Sequence, residues 1–235
     1  VDLGLRSQIV GVTNYCVDPG DLNTTRISGT KNPNLSKILD LNPSYLLCNR
    51  EENRREDIDE LQKALPNCRV RVTDIGSFED SLSSIAVIAE ELNVTAIADE
   101  LTYKLRDIMQ ELLEVGNKFR SKQLKVLYLI WKKPWMTVGS DTYIQSMLKS
   151  LGLVSCITEL RYPVLSEEEL LRKDWDVLLL SSEPYPFKLK DCEQLSRKTK
   201  RPVIIVNGEH YSWYGSRLKH VAKSFEAELT KIFTK

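Results

Sequence analysis

From Thr95 to about Ser121 the sequence carries one unbroken helical pattern without proline, set between two stretches in which strand-like and helix-like runs alternate. Ile97, Leu101, Leu105, Ile108, Leu112 and Val115 recur every three or four residues, the spacing that lines one face of an α-helix. Asp99, Glu100, Lys104, Arg106, Asp107, Glu111 and Glu114 fill the other positions. Thr95 is expected to cap the start and Gly116 to weaken the end. About 25 residues at ~1.5 Å each make a rod of roughly 40 Å, longer than one crossover in a small sheet requires. The expectation is two lobes with a stiff rod between them. The alternative is an unusually long crossover helix in one continuous sheet.

The flanking patterns give the rest of the architecture. Strands are expected at Ile9 to Thr13, Tyr45 to Cys48, Val70 to Thr73, Val126 to Trp131, Val177 to Ser181 and Val203 to Val206. Each is a short, β-branched apolar run of the kind a buried parallel strand needs. Helices are expected at Asn34 to Leu41, with Pro33 as a first-turn residue, at Asn53 to Leu65, and at Ser77 to Leu92 with Ser77 as cap. Such alternation predicts an α/β fold with mainly parallel sheets and helices on both faces. The expected division is an N-terminal lobe over 1–94, a connecting helix over 95–121 and a C-terminal lobe over 122–235. Val1, Leu3 and Leu5 read as a helix running straight into the first strand, without the basic start or long apolar stretch of a leader. An upstream segment is therefore expected to be missing.

Composition removes several functions. The 33 basic and 33 acidic residues cancel, so no strong field points toward nucleic acid or an anionic membrane. No apolar run approaches the ~20 residues of a membrane helix. Cys16, Cys48, Cys68, Cys156 and Cys192 are odd in number and contain no CxxC, which argues against a disulfide framework or a zinc ribbon and fits a reducing compartment. The two histidines, His210 and His220, offer no metal-ligand spacing. No GxSxG, GxxxxGK[ST] or GxGxxG occurs. No catalytic residue, cofactor or metal is expected. Gly139 to Thr142 opens a helix whose N–H groups can hold an anion, although Ser-Asp-Thr there reads first as a cap. Glu51 and Glu52, beside Arg50 and Arg54, read as a solvated charge cluster.

In open α/β sheets, ligands bind beyond the carboxyl ends of the strands. Those positions hold Tyr15, Arg50, Lys132, Lys133, Trp135, Glu183, Tyr185, Glu209, His210, Trp213, Tyr214 and Arg217. Loops normally carry polar turn residues. Three of the four tryptophans lie in or against these stretches, and aromatics placed there beside Arg, Lys and Glu predict the walls of a pocket for a large, partly flat ligand. The bland alternative is that they cap the lobe cores.

Longer stretches resemble a known family. Gly11-Val12-Thr13 followed by Tyr15, Asp18 and Pro19, the run Asn34 to Leu47, Phe78 to Leu92, Thr137 to Ile144, and Arg161-Tyr162-Pro163-Val164 with Ser166 to Leu170 are similar, in order and spacing, to the substrate-binding proteins of ABC importers for vitamin B12 and ferric siderophores. Gly29 to Pro33, Lys133-Pro134-Trp135, Ser182 to Phe187 and Ser212 to Arg217 resemble one subgroup of them. The resemblance implies two Rossmann-like lobes joined by a backbone helix, with a ligand cleft between them. It implies a monomer outside the cytoplasm that binds a cobalamin-like or iron-chelate (siderophore or heme) ligand without catalysis and docks on an ABC permease. Tyr15, Trp135, Tyr185, Trp213 and Tyr214 would supply flat surface, the cations would pair with acidic ligand groups, and Glu183 and Glu209 would accept amide N–H groups or hold those cations in place. Two departures stand out. The family's opening strand is absent, and the docking glutamate has a match in Glu168 but is Ser36 on the first lobe. The thiols, the missing leader and Ser36 leave open a cytoplasmic sensor or carrier on the same fold.

Overall fold

The computed structural model describes residues 1–16 and 20–234. Asp18 and Pro19 lie outside the described residues. The chain divides into two compact units, Val1–Asp74 and Ile75–Lys235.

The first unit holds strands β1 (Gly11–Val12), β2 (Thr25–Arg26), β3 (Tyr45–Asn49) and β4 (Arg69–Thr73), with helices α1 (Leu35–Leu41) and α2 (Arg55–Ala64). β1 pairs with β2 and β3 with β4, both in parallel. Ile38, Leu61 and Leu65 form the small core, packed by Ile27, Leu35, Leu46 and Cys68. The expected helix at Val1 to Leu5 is not formed: only a 3-10 turn at Arg6–Gln8 precedes β1. β1 is also shorter than the expected strand, and its partner β2 carries no apolar run that would reveal it. α1 is capped by the Asn34 side chain, which accepts from the Lys37 N–H at 3.0 Å. Pro33 therefore lies one position outside the cap, not in the first turn.

The second unit is built on a mixed sheet. Its strands are β5 (Lys125–Trp131), β6 (Trp135–Thr137), β7 (Val154–Ser155), β8 (Val164–Leu165), β9 (Val177–Ser181) and β10 (Val203–Val206). The order is β10-β9-β5-β6-β8, with β7 against the start of β5. β10, β9, β5 and β7 run parallel; β6 is antiparallel to β5, and β8 is antiparallel to β6 and so runs with the parallel set. β9 is buried along its whole length and β5 along most of it, which is why both read as continuous apolar runs. The helices are α3 (Phe78–Glu91), α4 (Thr95–Phe119), α5 (Tyr143–Ser150), α6 (Glu167–Arg172), α7 (Leu189–Thr199), α8 (Gly208–Ser212) and α9 (Leu218–Phe233). Ser77 caps α3 and Thr142 caps α5.

The long helix is α4, and it packs with the second unit, against α3 and α9. Its buried face is Ala98, Leu101, Leu105, Met109, Leu112, Val115 and Gly116. Ile97 is 43% exposed, so the face is turned by about one residue from the one expected. Its N-cap is Val94, without a side-chain bond, and Thr95 is already helical. Gly116 does not weaken the end. The helix runs through it to Phe119, and a Cβ there would lie 2.7 Å from the Leu151 carbonyl carbon. The glycine lets α4 touch the turn after α5. Phe119 stacks on Phe233 at 4.8 Å, and the Lys122 ammonium donates to the Phe233 carbonyl at 2.7 Å.

Candidate functional site

The ends of β9 and β10 in the second unit bring one group of the expected residues together. Beyond β10, the Asn207 side chain caps α8 by accepting the Glu209 N–H at 3.1 Å, and the Gly208 N–H donates to Ser182 Oγ at 3.0 Å. Only glycine fits at 208: a Cβ would stand 2.5 Å from Ser181 Oγ and from Glu183 Cγ. That close approach sets α8 on the loop after β9. Glu183 then accepts the Trp213 indole N–H at 2.7 Å, and the same oxygen lies 3.0 Å from the Ser212 hydroxyl, whose one proton is shared with the Gly208 carbonyl at 2.8 Å. Glu209 holds the Arg217 guanidinium, with Nε at 3.0 Å and Nη2 at 2.5 Å, and that guanidinium lies 5.8 Å from the Trp213 ring centre. Tyr214 meets Tyr143 edge-on at 5.4 Å.

A second group gathers at the end of β5. Trp131 contacts Tyr185 edge-on at 5.6 Å, Tyr185 contacts Phe187 at 4.7 Å, and Trp135 stacks on Phe187 at 6.4 Å. The Lys132 ammonium is 5.8 Å from the Trp135 ring and donates to Asp191 at 2.5 Å. Lys132, Trp135, Leu165, Gln194 and Lys198 are among the residues lining a groove of about 540 Å3. The loop carrying Glu183, Tyr185 and Phe187 joins the two groups.

In the first unit, Tyr15 is 67% exposed and its ring lies over Gly29, where a Cβ would approach it to 3.3 Å. Arg50 forms an ion pair with Asp74. Ser36 lies in α1. Glu168 lies in the first turn of α6, exposed and paired with Arg172 at 2.7 Å.

Two expectations change. His210 is 4% exposed, with Nδ1 at 3.1 Å from Glu228 and Nε2 at 2.9 Å from Ser224. An imidazole so placed has no nitrogen left for a ligand. The cations, expected to meet ligand acids, are instead satisfied within the chain: Lys132 by Asp191, Arg217 by Glu209 and Arg50 by Asp74. Lys133 forms no ion pair among the described residues. Sequence reading placed Trp131 and Ser212 at strand ends without naming them as contacts, and it missed Tyr143, Asp191 and Glu228. Trp131 and Tyr143 were legible as aromatics beside strand ends. Asp191 and Glu228 were not, because their partners are 59 and 18 residues away.

The Lys132–Asp191 pair gives the site a pH signature. Burial alone would push the Asp191 carboxyl up, but the Lys132 ammonium and the Lys188 N–H outweigh it and leave the group below its ordinary value. A depressed carboxyl stabilises the fold above its unfolded value of about 3.9 and loses that contribution as pH falls through the folded value. Urea midpoints measured from neutral pH down to about pH 3 should therefore fall less steeply in Asp191→Asn than in the parent. Equal slopes would show that the pair carries no linkage.

The structure is an α/β chain in two compact units, with clustered aromatic side chains at the strand ends of the second and an internal carboxylate on the Trp213 indole. The chain belongs to the periplasmic binding protein family, whose model matches residues 1–207. Members of this family are extracytoplasmic substrate-binding proteins. An uncharacterized ABC transporter substrate-binding lipoprotein of Bacillus subtilis, YvrC, is 26% identical over 151 residues, which span 62% of this chain and 48% of that protein. The vitamin B12-binding protein of Pectobacterium carotovorum is 22% identical over 235 residues, covering 97% of this chain and 83% of its own length. A periplasmic heme binding protein from Pseudomonas aeruginosa has the same fold, with a TM-score of 0.81 at 18% identity, over 97% of this chain and 87% of that one. No helix among the described residues is long and apolar enough to cross a membrane. The cytoplasmic sensor or carrier draws no support from these relatives.

Proposed function

We propose that this chain is the substrate-binding component of an ABC import system, taking a cobalamin-like or iron-chelate ligand against the strand ends of its second unit. The observation that carries the reading is Glu183 holding the Trp213 indole N–H at 2.7 Å. A tryptophan whose only polar atom is satisfied from below presents a flat apolar face at no polar cost. Trp135, Tyr185 and Tyr214 extend that surface, and Tyr15 and Arg50 of the first unit are proposed contacts on the ground of their strand-end positions. Glu168 is the proposed permease contact. The division into a lobe over 1–94, a rod over 95–121 and a lobe over 122–235 belongs to the same proposal, as does action as a monomer.

The internal pairing of the cations favours a cobalamin-like ligand over a polyanionic chelate. With Lys132, Arg217 and Arg50 paired, and Lys133 alone of the expected cations without an ion pair among the described residues, the site gains little from several ligand acids and selects mainly by shape and stacking. The role is binding without catalysis. Ser224, His210 and Glu228 do line up as hydroxyl, imidazole and carboxylate. However, Ser224 sits mid-helix in α9, and its hydroxyl also contacts the Val221 carbonyl at 2.8 Å. Mid-helix N–H groups are spent in the helix, so none converges beside it to stabilise an oxyanion.

The test is a titration of intrinsic tryptophan fluorescence with cyanocobalamin, cobinamide, heme and ferric siderophores, corrected for ligand absorbance. One-to-one saturable quenching is expected from the cobalamin class. Its Kd should change less than about threefold between roughly 0.05 and 0.5 M salt, because paired charges leave little to screen. Tight binding of a polyanionic chelate with steep salt dependence would overturn the ligand preference. No saturable response from any of the ligands would overturn the reading.

A further inference from the structure

We infer that Glu228, on α9 and remote in sequence from every expected ligand contact, is the positioning residue that sets Trp213 and the Glu209–Arg217 pair; the ligand part of this inference rests on the function proposed above. Its side chain is 14% exposed. One carboxylate oxygen accepts the backbone N–H of Asn207 at 2.8 Å, and the other accepts from His210 Nδ1 at 3.1 Å. Tyr211 lies close enough to feel the same charge. Burial first, and the Glu228 carboxylate next, raise its phenol well above the ordinary value. Asn207, His210 and Tyr211 are the cap and two buried residues of α8.

The short helix is thus held from two sides. From α9, Glu228 fixes its cap and its buried face, helped by the His210 stack on Phe225 at 4.9 Å. From the loop after β9, Glu183 fixes its last residue and the following tryptophan. A five-residue helix cannot hold itself together in water. Its orientation, and with it the place of Glu209 and Trp213, follows from these two carboxylates. Glu183 lies among the proposed contacts, whereas Glu228 lies behind them and acts only through α8.

The experiment uses the whole chain labelled with 5-fluorotryptophan and read by fluorine NMR without ligand, the Trp213 resonance being assigned with Trp213→Phe. In Glu228→Leu, the Trp213 resonance should shift and broaden. The Trp175 resonance should hold, because that indole is 2% exposed and bonded to the Leu170 carbonyl; it reports that the core is folded. Glu228→Gln should restore the parent position. Its amide oxygen can accept the Asn207 N–H, and its NH2 can donate to His210 Nδ1 once the imidazole proton moves to Nε2 and faces Ser224 Oγ, giving up only the 3.3 Å contact of Nε2 with the Asn207 side-chain NH2. If Glu228→Leu does not fold, Glu228→Gln against Glu228→Asp gives the same contrast, since aspartate is one methylene too short for both donors. A Trp213 resonance that stays in place in a folded Leu or Asp variant overturns the inference.

Cyanocobalamin titration separates this inference from the ligand reading. Glu228→Leu is expected to weaken binding about tenfold or more, and Glu228→Gln to recover to within about threefold. A displaced Trp213 with unchanged affinity would overturn the role of Glu228 in binding and the placing of the ligand at Trp213. If the parent does not bind cyanocobalamin, the ligand reading fails and the NMR contrast alone decides the positioning.

Discussion

Replacing Gly116 with alanine is expected to destabilise the second unit by about 3 kcal/mol, near the upper end of what overpacking costs. The added methyl has nowhere to go. It would meet backbone atoms of Leu151, not a side chain that can swing away, and lie 3.2 Å even from the Leu151 Cα. Gly152 follows with φ of 81°, in the left-handed region, so the opposing turn is itself held in a conformation that glycine alone adopts freely. Helix propensity works the other way. Alanine in a helix interior is worth about 1 kcal/mol over glycine. A measured loss of stability would therefore show that the contact with Leu151 outweighs intrinsic preference. Urea unfolding followed by circular dichroism would report it as a lower midpoint with an unchanged slope. A variant as stable as the parent would mean that α4 and the 151–152 turn can part without penalty.

Trp213→Ala is expected to weaken ligand binding by about 2 kcal/mol or more, roughly thirtyfold, with the fold intact. The indole is part-exposed, so its removal opens no core cavity. What is lost is flat contact surface, together with a donor whose partner, Glu183, keeps the Ser212 hydroxyl. Trp213→Phe divides the two contributions. It keeps an aromatic face and drops the N–H, so retention of most of the affinity would assign the effect to stacking. Trp135→Ala should also weaken binding, but through the second aromatic group. Its ring rests on the buried Phe187, so some loss of stability should accompany the loss of affinity. Parent-like affinity in both alanine variants, measured by fluorescence or calorimetry, would remove the pocket assignment.

Much of this architecture was readable in the sequence because it rests on local periodicity. The runs at Val126 to Trp131 and Val177 to Ser181 are apolar throughout because both faces of those strands are covered, and the pattern from Thr95 onward is long because α4 must cross most of the second unit. Failures came where local pattern and tertiary contact diverge. Ile97 has the right spacing for the buried face but points outward, since α3 and α9 together choose the stripe centred on Ala98, Leu105 and Leu112. Val1 to Leu5 has apolar spacing but no helix. The strand-end rule put Trp213, Glu183 and Arg217 at neighbouring strand ends and allowed Glu209 to hold a cation, yet it could not say which cation or that His210 turns inward to α9. Those choices depend on Glu228 and Asp191, whose positions no short-range pattern marks.

The packing of α9 on α4 also governs when the second unit can become native. Lys122 and Phe233, which close the end of that helix pair, are 111 residues apart in sequence. Closing so long a loop costs chain entropy before any of its contacts form, and chains dominated by such distant contacts fold slowly. While the chain is being synthesised, the β5–β9 strand pair can assemble early, but one flank of α4 has no cover until the final helix has emerged. During that interval, the part of the apolar face of α4 that α9 covers is exposed to solvent. The sixteen residues of α9 thus act as a closing step that comes long after α4 is made, and the interval before it is the period in which this chain most needs shielding from its neighbours.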